Sequence, residues 1–157
     1  MPKRLVIFFM LSIPALRAAD ENAPPAVYKS AAELMAALAK SAQATPNQAT
    51  SPIVNEDHYR INIVRRGTAG VAMAHATGPA KGSELHYIID GAATVVTGGS
   101  LLRSSSGAGS TTIEGGQSRR VAKGDVIFIP AGTPHWYKEV EGSVTYLEVR
   151  FDVETKK

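Results

Sequence analysis

No cysteine occurs among the 157 residues, and tryptophan appears once. Without thiols there is no disulfide framework, no thiolate nucleophile and no sulfur-ligated zinc site. The chain must hold itself together through its core and do any metal chemistry with nitrogen and oxygen. Long apolar runs are missing too. The most apolar stretch, Leu5 to Leu16, is too short for a comfortable membrane-spanning helix. Excess charge of one sign is also scarce. The formal net charge is +3, but Lys3, Arg4 and Arg17 all fall in the first 19 residues, where there is no acid; beyond them 14 basic side chains face 14 acidic ones. No basic stripe with interleaved aromatics remains, which argues against a nucleic-acid partner.

What is present begins with a basic, then apolar, then small-residue N-terminus. Lys3 and Arg4, the stretch Leu5–Leu16, and Ala18-Ala19 have the layout of a secretory signal peptide over residues 1–19. That predicts a periplasmic or secreted protein with no membrane span after cleavage; an uncleaved anchor is the competing reading. Residues 20–52 read as a linker plus a short helix. Pro24-Pro25 stiffens the linker, and Ser30 with Glu33 forms a capping-box pattern ahead of an Ala/Leu/Met run, predicting a helix over about 31–40. Residues 41–52, small and polar, read as loop.

From residue 53 to 157 the texture is that of short strands separated by glycine. "HYRINIVRR" alternates, with Tyr59, Ile61 and Ile63 opposite Arg60 and Asn62. "GVAMAH" places Val71, Met73 and His75 on one face. "ELHYIIDG" and "ATVVTGG" read as two strands joined by a hairpin at Asp90-Gly91. Residues 100–123 form a long Ser/Gly-rich connection, and "DVIFIP" and "SVTYLEVRFDV" are the last strands. Many short strands at regular spacing predict an all-β sandwich or barrel. Tyr59, Tyr87, Phe128, Trp136, Tyr137 and Tyr146 are expected as core or barrel lining, and Tyr137, on the strand face of His135, as the aromatic nearest a site.

Three of the four histidines, His75, His86 and His135, lie in or at the ends of these strands. Strand alternation puts Glu84, His86 and Ile88 on one face and Leu85, Tyr87 and Ile89 on the other. With His75 and His135 on neighbouring strands, His75, Glu84, His86 and His135 make a set of three imidazoles and one carboxylate. Such donors suit one divalent transition metal (Fe, Mn, Ni, Cu or Zn) and are poor for Ca or Mg. The bland alternatives are a surface carboxylate at Glu84, strand-end histidines at His75 and His135, and a His86 that orients Glu84 instead of binding metal.

The segment "GDVIFIPAGTPHWY" is the most specific. Gly124, five residues, Pro130, one residue, Gly132, two residues and His135 match the second motif of the cupin superfamily, which this chain resembles across about residues 58–152. Glu84, followed by six residues and then Gly91, resembles the glutamate of the first cupin motif. The usual His-x-His pair is absent, and the last motif position, usually asparagine, is Glu139. The resemblance implies a double-stranded β-helix, or jelly-roll barrel, in the manner of small exported bacterial cupins, with metal roles for Glu84 and His135. His75 stands for one missing family histidine, and His86 is inferred to replace the other.

Three functions follow. The first is a metal-dependent enzyme acting on a small organic molecule by oxygenase, isomerase or decarboxylase chemistry. The second is a non-catalytic module binding a small molecule or metal. The third is an interaction protein, pairing as a homodimer through the N-terminal helix or strand 59–64. Arg119 and Arg120 are read as solvated loop charges; an inward arginine would instead favour a carboxylate ligand.

Overall fold

A computed structural model describes residues 24–68, 70, 82–103 and 111–152. The expected signal peptide, the expected strand at 71–75 and His75 itself lie outside them.

Helix α1 spans Ala31–Ala44. The capping box forms as expected: Ser30 N donates to Glu33 Oε2 (2.7 Å) and Glu33 N donates to Ser30 Oγ (3.3 Å). The helix runs one turn beyond the expected end, because Ser41 to Ala44 carry no breaker. Pro46 then disfavours helical geometry at Thr45, which becomes the C-cap. Next comes a strand, β1 (Gln48–Asn55), where loop was expected. Its sequence is quiet because its buried residues, Ala49 and Ser51, are small. Pro52 is tolerated because β1 is an edge strand with a register shift between Pro52 and Val54. Among the described residues no helix is long and apolar enough to cross a membrane.

The barrel contains β2 (Tyr59–Arg66), β3 (Ser83–Thr97), β4 (Ser100–Arg103), β5 (Thr111–Glu114), β6 (Gln117–Ala122), β7 (Val126–Ile129) and β8 (His135–Phe151). Six strands form one antiparallel sheet in the order β1-β2-β8-β3-β6, with β7 also on β3; β4 and β5 pair separately. Three expectations change here. The 100–123 connection contains three short strands. Strand 59–64 is paired on both sides, so β1, not β2, is the sheet edge. Asp90-Gly91 is not a hairpin but a bend inside the single strand β3.

That bend organises the molecule. β3 and β8 pair from Ser83↔Phe151 to Thr97↔His135, with register shifts between Ile88 and Asp90, Gly91 and Ala93, and Thr94 and Val95. Such interruptions of the register kink the ribbon and increase its twist. Gly91 sits at φ 76°, and a Cβ there would collide with the Ser143 carbonyl on β8. Only glycine allows both the left-handed backbone and the close approach. The ribbon doubles back far enough that His135, opposite Thr97 at one end, brings Nε2 to 3.8 Å from Glu84 Oε2 near the other.

Inside the curve sit Val64, Ile88, Ala93, Val95, Val121, Tyr137, Val144 and Tyr146. Tyr137 and Tyr146 stack at 5.0 Å between centroids and join this apolar cluster to the histidines. Phe128, Tyr87 and Tyr59, expected as lining, are exposed, Phe128 by 57%. The inward face of β2 is not the Ile61/Ile63 face but that of Asn62, Val64 and Arg66, of which Val64 and Arg66 are buried. Ile61 and Ile63 are half-buried on the opposite side of the strand, and α1 lies against β1 and β2.

Gly132 provides the comparison for Gly91. It has φ 78°, but a Cβ there would meet nothing within 4 Å. Gly132→Ala is expected to cost about 1 kcal/mol from backbone strain alone. Gly91→Ala should cost about twice that or more, since backbone must also move. Urea unfolding midpoints measure the difference; equal losses would mean that the β3–β8 approach is not tight.

Candidate functional site

Glu84, His86 and Ile88 do share the inward face of β3, and all three are buried. His135 opens β8 directly after the proline turn. Thr133 N donates to the Pro130 carbonyl (3.0 Å), closing a four-residue turn whose third residue, Gly132, needs positive φ. The Pro134 carbonyl accepts from Gly98 N (2.9 Å) and Ala131 N donates to Ser83 Oγ (3.3 Å), tying the turn to both ends of β3. The motif therefore positions His135 by clamping its turn to the strand that carries Glu84.

Glu84 Oε2 is the hub. It lies 3.1 Å from His86 Nε2, 3.8 Å from His135 Nε2 and 3.5 Å from Arg150 Nε. Burial alone would raise its carboxyl pKa. The hydrogen bond from His86 and the charges of His135 and Arg150 outweigh it and hold the group at about 2, so Glu84 is ionised. An ionised carboxylate only accepts, so His86 Nε2 carries the hydrogen of that pair. At the other ring nitrogen, Nδ1 is 3.1 Å from Tyr137 Oη. Burial pushes the Tyr137 phenol far up and the Tyr146 phenol up to about 12, so both keep their hydroxyl hydrogens. Tyr137 is thus the site aromatic that its strand face predicts.

His135 is oriented differently. Its Nδ1 lies 3.2 Å from the Thr133 carbonyl, which only accepts, so Nδ1 carries hydrogen and Nε2 is the nitrogen turned to Glu84. A backbone carbonyl on the far nitrogen is the usual support of a metal-ligating histidine.

Glu148, Arg150, Arg66 and Asn62 were not singled out from sequence. Glu148 stands opposite His86 on β8; its Oε2 is 3.9 Å from His86 Nε2 and 3.2 Å from an Arg150 terminal nitrogen, and its Oε1 accepts from Asn62 Nδ2 (3.1 Å). Ligand atoms of Glu84, His86 and Glu148 all fall within 4.8 Å of one another. Arg66 Nε donates to Tyr146 Oη (2.9 Å), and its guanidinium covers the Tyr137 ring at 5.2 Å. The missed signal was alternation: with Tyr146 inward, Glu148 and Arg150 must follow it. Arg119 and Arg120 lie on β6 and not in a loop as expected; both are exposed, Arg119 opposite Val95 on the face of Val121 and Arg120 on the other face, paired with Glu141 at 2.7 Å. Glu139, at the usual asparagine position, is exposed and accepts from Thr94 Oγ1 (3.3 Å).

The curved antiparallel arrangement of strands is the fold seen in solved cupin structures. No protein-family model matches the chain, and no curated protein aligns with it significantly. Solved structures do. The Schizosaccharomyces pombe Cnp3 cupin domain superposes with a TM-score of 0.50 at 11% identity, over 68% of this chain and 61% of that one. FeII HppE in complex with substrate gives 0.50 at 15% identity, over 67% of this chain and 50% of that one. CoII HppE in complex with substrate gives 0.50 at 15%, over 68% and 53%. The likeness is one of fold.

Acid stability should report the Glu84 hub. Its folded-state pKa lies below its ordinary 4.5, so protonation favours the unfolded chain. The stability it contributes is complete above about pH 4.5 and disappears as pH falls toward about 2. Thermal melts of Glu84→Gln, whose amide oxygen can still accept from His86, are expected to fall less steeply over that window than wild type. Parallel curves would show that Glu84 is not the group responsible.

Proposed function

We propose that the protein is an exported single-domain cupin that holds one divalent transition metal and acts on a small organic molecule. The observation that carries this reading is the convergence of two carboxylates and two imidazoles inside the barrel: Glu84 and Glu148, His86 and His135. Buried nitrogen and oxygen donors of this kind fit Fe, Mn, Ni, Cu or Zn. The donor orientations divide the work. Glu84, ionised, and His135, with its far nitrogen on the Thr133 carbonyl, are set to hold the ion. Glu148 and His86 border the same space. In the arrangement observed, His86 orients Glu84; for its Nε2 to bind metal, the hydrogen there must leave or move to Nδ1, where Tyr137 Oη can accept it. His75, the remaining member of the expected set, lies outside the described residues.

When bound, the metal supplies Lewis acidity toward an enol, enolate or carboxylate oxygen, or the redox chemistry of dioxygen. The chain's residues supply the rest. Tyr137 and Tyr146 close the inner side of the site against water, and His86 fixes the carboxylate rotamer. FeII and CoII forms of a structural neighbour with substrate bound accord with this reading. Export rests on the first 19 residues alone.

A second reading has its own support. Glu84 and Glu148 already carry Arg150 as a counter-charge, and with buried Arg66 the formal charges of these four groups cancel without an ion. That favours a non-catalytic binding module. Metal analysis by mass spectrometry on mature, tag-free protein separates the two. About one equivalent of metal per chain is expected in wild type, lost in both Glu84→Ala and His135→Ala. Wild type devoid of metal, even after reconstitution, would leave the binding module in front.

A further inference from the structure

The inward face of the sheet continues past the Glu84 cluster onto β6, and an arginine lies on it. Cross-strand partners share a face, so the pairing traces it. Val95 on β3 stands opposite Tyr137 on β8 and Arg119 on β6; Thr97 stands opposite His135 and Gln117. Arg119, Val95 and Tyr137 thus form one row across three strands, and Gln117, Thr97 and His135 form the next. Val95, Tyr137 and Val121 belong to the buried core, so this face is the interior one, and exposed Arg119 extends it toward solvent. On β7, Ile127 stands opposite His86 and packs against the same core. A cleft of about 560 Å³ lies on this face, with Val95, Thr97, Gln117, Arg119, Val121 and Ile127 in its lining. Two of these wall residues are the register partners of candidate ligands, Thr97 of His135 and Ile127 of His86.

The lining divides into an apolar wall and a polar edge. Val95, Val121 and Ile127 make the wall; Gln117, Thr97 and Arg119 offer an amide, a hydroxyl and a guanidinium. Arg119 makes no ion pair or side-chain hydrogen bond among the described residues. The other charges of the lining are engaged. Arg120 belongs to the opposite face of β6, where Glu141 accepts two of its bonds, at 2.7 and 2.8 Å. Asp125 Oδ2 accepts from Ala122 N (2.8 Å). With two arginines against one aspartate, the lining is net positive. A planar fork of donors matches a carboxylate through two parallel bonds, and an apolar wall beside it matches an apolar body. The volume is that of a site for a small organic molecule. We propose that Arg119 anchors the carboxylate of a small organic acid, whose apolar body lies along Val95, Val121 and Ile127 with its other end directed to the space bordered by His86 and His135. Apolar carboxylic acids are then the ligand class of this barrel. That the ligand meets a metal there rests on the reading above; the Arg119 anchor does not.

The test is calorimetric titration of the mature, tag-free protein, metal-free and after Co²⁺ loading, with 2-naphthoate, its uncharged analogue 2-naphthamide, and acetate. Wild type is expected to bind 2-naphthoate about tenfold more tightly than either control, in both forms of the protein. Arg119→Gln should weaken 2-naphthoate about tenfold and leave 2-naphthamide unchanged. Arg119→Lys keeps the charge without the fork and should fall between. Arg120→Gln removes the same charge from the other face and should bind like wild type. Arg119 is exposed, so its variants should keep the wild-type circular dichroism melt. Equal losses in Arg119→Gln and Arg120→Gln would report a general field effect and overturn the anchor. A 2-naphthoate affinity indifferent to Arg119, or no binding by wild type at millimolar ligand, would overturn it too. Binding that needs Co²⁺ and survives Arg119→Gln is carboxylate on the metal; it overturns the anchor while the metal reading stands. If the protein takes up no Co²⁺, the metal reading fails, and Arg119-dependent binding to the metal-free form still supports the anchor.

Discussion

Burying the ionised carboxylate of Glu84 is the constraint on which the rest of the structure depends. A charge taken out of water must be met by hydrogen bonds and counter-charges, or it neutralises. Here His86, His135 and Arg150 converge on one oxygen, and the combined effect holds the group at about 2 despite burial. Each partner in turn needs its own support. His86 leans on Tyr137, His135 on the Thr133 carbonyl, and Arg150 on Glu148, which Asn62 holds from β2. A single carboxylate thus recruits polar residues from β2, β3 and β8 and from the turn before β8.

Those partners are distant in sequence, and the bent β3–β8 ribbon brings them together. A flat ribbon pairing Thr97 with His135 and Glu84 with Arg150 would keep His135 and Glu84 well apart. Three register shifts and the positive φ of Gly91 fold it over, so that both ends of the ribbon contribute to one site. The proline turn at 130–134 then does two jobs. It ends β7 and, bound to Ser83 and Gly98, it fixes where β8 begins. Fold and site share the same devices, and loosening the ribbon would loosen the geometry of the Glu84–His135 approach.

Much of the site was legible, and the residues show why. Glu84, His86 and Ile88 follow from period-two alternation, and His135 from the spacing of Gly124, Pro130 and Gly132. Tyr137 follows from sharing His135's strand face. The helix followed from Ser30 and Glu33, a local device that needs no tertiary partner. Glu148, Arg150, Arg66 and Asn62 were not legible. On residues 59–66 and 144–151 the inward face is the more polar one, carrying Asn62 and Arg66 on β2, Glu148 and Arg150 on β8. The usual guide, that the apolar face points in, selects Ile61, Ile63, Leu147 and Val149 instead. β1 was hidden for a related reason: small Ala49 and Ser51 can be buried without leaving a hydrophobic signature.

The sequence by itself determined what short-range chemistry controls: the capped helix, the glycine-dependent turn before His135, the alternation that pairs Glu84 with His86, and the restriction of any metal site to nitrogen and oxygen. Only the tertiary structure decided which face of β2 and β8 points inward, that Asp90-Gly91 bends a strand instead of ending one, and that Arg150 stands between two carboxylates. The physical reason is that a strand's two faces are equivalent until something packs on one of them. The polar groups that line this barrel gain their favourable energy from one another, across strands, and no local stretch of sequence contains that sum.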